Sequence, residues 1–139
     1  MSDVLSGELR ALVLDSLEQE RQLGRVYRLH MQAASSPRLR QSWEDGWTLK
    51  RAHDEALTPL LASGDHSADS THAAPSTIPT AREALSWAYD QERVLALRYQ
   101  DGARLAQDPQ THRLLARLED EQRGRLDRVR ATYRDYSTS

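Results

Sequence analysis

Two glutamates sit where a helical core would take hydrophobic side chains, and four polar residues elsewhere in the chain are spaced to meet them. Residues 9 to 34 repeat apolar side chains at helical spacing (Leu9, Leu12, Val13, Leu17, Leu23, Tyr27, Met31, Ala34), and Glu20 lies on that stripe. Glu92 takes the same place in a second stripe of Leu85, Ala88 or Tyr89, Leu95 or Ala96, and Tyr99. A carboxylate aimed into a core needs a partner, because stripping its hydration without compensation is costly. The residues available are Lys50, His53, Gln122 and Arg125, with Tyr27 and Tyr99 each seven positions beyond a glutamate. Such a set offers three chemistries. Lys50 and Arg125 could neutralise the two acids as buried ion pairs. A desolvated Lys50 could act as a base or nucleophile. Glu20, His53 and Glu92, with the Gln122 carbonyl oxygen, could hold one Fe, Mn or Zn ion if Lys50 moved aside or lost its proton. Lys50 is the only lysine in the chain, the other 18 basic residues being arginine.

The candidate residues fall into a repeat. Gln19-Glu20-Arg21 leads to Tyr27 as Gln91-Glu92-Arg93 leads to Tyr99, an offset of 72 positions. The same offset maps Pro37 to Pro109, Lys50 to Gln122 and His53 to Arg125 without a gap. Lys50 and Gln122 are thus one position occupied in two ways, as are His53 and Arg125.

Four helices must carry these residues. The first spans about 9 to 34. Ser36 as cap and Pro37 at the first helical position open a second, whose inward face is Leu39, Trp43, Trp47, Lys50, His53 or Asp54, and Leu57, with Pro59 marking its last turn. Residues 62 to 79 lack a hydrophobic period and are rich in Ser, Ala, Asp, His and Pro. They read as a linker, long enough to return along a bundle, with His66, His72, Asp65 and Asp69 in solvated loop. Thr80 with Glu83 suggests a capping box opening a third helix. Asp108-Pro109 opens a fourth that presents Leu115, Leu118, Gln122, Arg125 or Leu126, and Val129, and its tail from Tyr133 onward is expected to fray. Trp43, Trp47 and Trp87 read as core or helix-interface residues, and the arginines from 113 to 134, interleaved with acids, as surface ion pairs. The expected fold is all-α: a four-helix bundle of two antiparallel hairpins, about 9–61 and 80–132, in one domain spanning 1–139.

Bulk properties narrow the function. The 139 residues carry 19 basic and 21 acidic side chains, a near balance that argues against nucleic-acid binding or a polybasic membrane anchor. The absence of cysteine excludes disulfides, thiolate ligands and cysteine nucleophiles. No membrane span or signal-peptide pattern is seen, which makes a soluble cytoplasmic protein the expectation.

An inward Glu, a Tyr seven residues on and a paired helix carrying an ExxH position, all repeated, resembles the ferritin-like superfamily and its rubrerythrin-like branch. The resemblance covers roughly residues 9 to 130. It implies that Glu20 and Glu92 match the family's single glutamates and His53 a histidine of its di-iron or di-manganese site. Lys50 and Gln122 stand where that site has glutamates, and Arg125 where it has the second histidine. Shifting the register to Glu119 or Glu121 would restore a carboxylate but no histidine. The resemblance implies a degenerate bundle whose Glu20, Tyr27, Lys50, His53, Glu92, Tyr99, Gln122 and Arg125 form a vestigial polar cluster. Each tyrosine is expected to bond the acid of the opposite hairpin. The implied role is a non-enzymatic stress-related or scaffolding protein without a cofactor, self-associating as a dimer or larger. Two alternatives follow from the same likeness: a metal-binding oxidoreductase or iron-handling protein on Glu20, His53 and Glu92, and metal-free radical chemistry on Tyr27 or Tyr99.

Overall fold

Each helix starts where a short polar side chain can take up one of the amide hydrogens that a helix leaves unpaired at its first turn. In this computed structural model, which describes residues 6–61 and 80–138, Ser6 Oγ accepts from the Leu9 amide and opens α1, Gly7–Ala33. Ser36 Oγ accepts from Leu39 N at 3.1 Å ahead of α2, Pro37–Leu57. Thr80 Oγ1 accepts from Glu83 N ahead of α3, Ala81–Leu105, and Asp108 Oδ2 from Thr111 N ahead of α4, Pro109–Thr138. Each cap stabilises its helix by about 0.5–2 kcal/mol.

The architecture is all-helical, a bundle of four helices, with no strand among the described residues. Helix α1 packs mainly on α2 and α3 on α4, while α1 against α3 and α2 against α4 close the bundle. Side-chain pairs fix the directions. On α1 and α2, Tyr27 meets Trp43 whereas Arg21 meets Asp54. Across α1 and α3, Tyr27 meets Glu92 whereas Glu20 meets Tyr99. On α2 and α4, Ser42 meets Thr132 whereas Lys50 meets Gln122. On α3 and α4, Tyr89 meets Arg130 whereas Ala103 meets His112. Every neighbouring pair is therefore antiparallel, so α2 and α3 run the same way. The end of α2 and the start of α3 consequently lie at opposite ends of the bundle. The linker expected to join them, 62–79, lies outside the described residues, as do His66, His72, Asp65 and Asp69. No described helix is long and apolar enough to cross a membrane.

The core is the sum of the four inward stripes. Leu9, Val13, Leu17 and Leu23 from α1 meet Leu39, Trp43 and Leu57 from α2, Leu85, Ala88 and Leu95 from α3, and Leu115, Leu118 and Val129 from α4. A fully buried Leu or Val in such a core contributes about 1.5–3 kcal/mol relative to exposure. Trp43 is fully buried, while Trp47 and Trp87 pack part-buried on its margin.

Two boundaries differ from expectation. Pro59 does not sit in the last turn of α2: the α-helix stops at Leu57, and Pro59 lies in a 3-10 turn, Thr58–Leu60. Proline lacks the amide that another α-turn would use. Helix α4 also does not end near Tyr133 but runs on to Thr138. Tyr133 packs part-buried against the core and so extends the apolar seam beyond Val129.

Candidate functional site

At mid-height the seam stops being apolar. Glu20 on α1, between Leu17 and Leu23, and Glu92 on α3, between Ala88 and Leu95, are both fully buried. Helical spacing alone puts them there, and the neighbouring helices supply what they need.

Lys50 on α2 lies between them. Its Nζ is 2.8 Å from Glu20 Oε1 and 2.5 Å from Glu92 Oε1, and it donates to Gln122 Oε1 at 2.9 Å. An ammonium has three hydrogens, and three acceptors surround this one. Gln122 in turn donates from Nε2 to the Glu92 side chain at 2.5 Å and to the Glu92 backbone carbonyl at 2.9 Å. The second oxygens of the two acids are held by tyrosines from the opposite hairpin: the Tyr27 hydroxyl donates to Glu92 Oε2 at 2.5 Å, and the Tyr99 hydroxyl donates to Glu20 Oε2. A third group completes each carboxylate. His53 Nδ1 lies 2.7 Å from Glu20 Oε2, and Arg125 Nε reaches Glu92 Oε2 at 3.4 Å. All eight residues picked out by type and spacing thus meet in one network, and none is more than 2% exposed.

The electrostatics follow from burial and proximity. Two carboxylates, Glu20 and Glu92, face two cations, Lys50 and Arg125, so these four charges cancel. Burial pushes the Glu92 carboxyl up, but the charges of Lys50 and Arg125 and the hydrogen bonds from Gln122 and Lys50 outweigh it and hold Glu92 below the usual range. Burial, reinforced by the adjacent carboxylates, pushes the Tyr27 and Tyr99 hydroxyls well above the ordinary phenol range. Burial opposes the charge on Arg125, yet Tyr27 and Glu92 beside it keep the guanidinium more firmly protonated than usual.

Several contacts carry no advance mark in the sequence. His53 Nε2 lies 3.1 Å from Glu121 Oε1, whose side chain is 42% exposed, so the imidazole spans from the buried acid to one at the surface. A neutral imidazole can donate to only one of them. Arg125 donates from Nη1 to the Ser42 carbonyl at 3.2 Å and lies over the Tyr27 ring, 4.9 Å from its centroid. Gly46 makes room for it: a Cβ there would strike Arg125 Nη2 and come within 2.7 Å of the Tyr27 ring. Gln19 donates to Gln91 Oε1 at 2.8 Å between α1 and α3. The repeated tripeptides contained that pair, but side-chain amides on a helix surface look alike whether they meet or not.

No family model, curated protein or solved structure matches the chain.

The donor set fits a metal poorly. Among the described residues no group of three or more His, Asp or Glu is arranged to hold an ion. Lys50 Nζ takes up the space between Glu20 and Glu92, and neither an ammonium nor a guanidinium has a lone pair to coordinate with. His53 is engaged through both ring nitrogens. Every member of the cluster is buried, and only His53 reaches a part-exposed group, Glu121. The arrangement joins all four helices by ion pairs and charged hydrogen bonds, with Arg125 Nη2 left without a hydrogen-bond partner.

Proposed function

We propose that the chain is a ferritin-like bundle in which protein side chains have taken over the neutralising role of metal ions. It serves as a non-enzymatic scaffolding or interaction protein. One observation carries this reading: the Lys50 ammonium sits 2.8 and 2.5 Å from the two buried glutamates, the point from which a bridging cation would balance them. Support also comes from the offset of 72 residues. The contacts Tyr27 to Glu92 and Tyr99 to Glu20 exchange under it, and Lys50 with Gln122, like Gln19 with Gln91, are partners one offset apart. Two related hairpins facing each other across a local two-fold axis would give this pattern. Elemental analysis of protein grown with added iron and manganese tests the reading. Less than about a tenth of an equivalent of metal is expected, since the ligands are bound to each other and to Lys50. Near-stoichiometric iron, manganese or zinc, lost in Glu20→Ala, would instead assign a metal-handling role.

A further inference from the structure

Three members of the cluster hold a second arrangement within the first. Lys50 Nζ lies 2.9 Å from the side-chain carbonyl oxygen of Gln122, and the carbonyl carbon is one bond, about 1.2 Å, behind that oxygen. That places the amine roughly 3–4 Å from the carbon, at the outer side of the separation of about 3–3.5 Å from which nucleophilic attack proceeds. A single carboxylate oxygen, Glu92 Oε1, touches both nitrogens that would exchange a proton, at 2.5 Å from Lys50 Nζ and 2.5 Å from Gln122 Nε2. Its other oxygen is pinned by Tyr27 and Arg125, which keeps Oε1 pointed at the pair. Glu20 Oε1, 2.8 Å from the same amine, provides a second acceptor, backed by His53.

We infer that Lys50 and Gln122 form a self-modification site, closing an isopeptide bond between α2 and α4 with Glu92 as the proton shuttle. The reaction needs no oxidant or cofactor. Lys50 first passes one proton to Glu20, which shares it with His53, and the amine lone pair is freed. Nζ then adds to Cδ of Gln122, its next proton moves through Glu92 Oε1 to Nε2, and the Cδ–Nε2 bond breaks. Neutral ammonia departs. One new C–N bond replaces one old one, and the proton left on the Glu20–His53 pair preserves the cluster's charge. Burial serves this chemistry, since water is excluded from the competing hydrolysis of the amide. The inference rests on the geometry of these side chains alone and stands apart from any history of metal binding.

The single lysine makes the test direct. Endoproteinase Lys-C cuts only after lysine, so the unmodified, denatured chain gives two fragments at Lys50. Full-length protein, folded and aged at neutral and mildly alkaline pH, is expected to weigh about 17 Da less than its Lys50→Arg variant after correction for the substitution, the mass of one ammonia lost in acyl transfer to the amine. After denaturation it should resist Lys-C and give a Lys50–Gln122 linked peptide on digestion with a second protease. Gln122→Met should restore the Lys-C cut. A folded Glu92→Gln variant, its helicity checked by circular dichroism, should keep its ammonia under the same conditions. Aged parent protein of full mass that Lys-C cuts completely would overturn the proposal. Equal cross-linking in folded Glu92→Gln would overturn the shuttle. Neither result bears on metal content, so the two proposals fail separately.

Discussion

The two halves of the cluster start from one frame and close it differently. Around Glu20 the third partner is His53, a compact ring that continues to Glu121 and so to solvent. Around Glu92 the third partner is Arg125, a larger cation turned inward over Tyr27 and tied to the Ser42 carbonyl. The larger group needs space, and Gly46 on the facing helix provides it. One half thus has a polar lead to the surface while the other is sealed. Replacing one residue of such a frame is not a local event. The guanidinium fits because the facing helix yields volume at Gly46 and a carbonyl at Ser42.

Breaking what the halves share should cost most. Lys50→Met leaves Glu20 and Glu92 facing each other without their common cation, and chemical denaturation should show a loss of about 3–5 kcal/mol. A variant as stable as the parent would remove the argument that the lysine balances both acids. Gly46→Ala tests the sealed half: the added methyl drives Arg125 and Tyr27 apart, and an overpacking penalty of about 1–3 kcal/mol is expected. The equivalent position under the 72-residue offset is Leu118, so the intolerance should be one-sided. Tyr27→Phe and Tyr99→Phe each remove one hydrogen bond to a buried carboxylate, worth about 1.5–3 kcal/mol. Nearly equal losses would show that the tyrosines act alike despite their different neighbours. Glu121→Gln should fall below about 1 kcal/mol, as a part-exposed partner does. A larger effect would mean that the polar lead is structural.

Buried titratable groups also make the stability of the fold depend on pH. Glu92 titrates lower folded than unfolded, so its contribution is complete above the unfolded glutamate value of about 4.3 and is lost as pH falls through the folded value. Burial lowers His30, 6% exposed against Trp43, so that folding also weakens as pH drops below about 6.5, where the unfolded imidazole takes a proton and the folded one resists it. Tyr27 and Tyr99 act at the other limit, their contribution fading once pH rises past about 10. Stability measured against pH should therefore form a plateau with both shoulders falling. His30→Phe should flatten the slope near neutrality and leave the lower acid limb in place.

Much of this was legible because helical periodicity assigns direction. Glu20 between Leu17 and Leu23 can only point inward, and the same logic placed Lys50, His53, Gln122 and Arg125 on facing stripes. Ambiguities of one residue, such as His53 or Asp54 and Arg125 or Leu126, resolved toward the residue that can donate to a buried acid, Glu20 for His53 and Glu92 for Arg125. What stayed hidden was of three kinds. Glu121 lies on the exposed side of α4 and reaches His53 only through the length of its side chain. The Ser42 carbonyl belongs to the backbone and leaves no trace in residue type. Gly46 in mid-helix gives a signal only once the size of its neighbour is known. The run of α4 past Tyr133 was missed because its later residues are polar, and a polar face looks the same whether a helix continues or frays.

The meeting of Lys50 with Gln122 also bears on how the first hairpin would pair with a copy of itself. In a chain made of two similar pieces, each piece is at risk of choosing its own double in a neighbouring molecule over its partner in the same one. Two copies of the first hairpin joined face to face would bring a pair of ammonium groups to the place where here an ammonium meets an amide. One lysine, present on one side only, would thus disfavour pairing of the first half with its own copy.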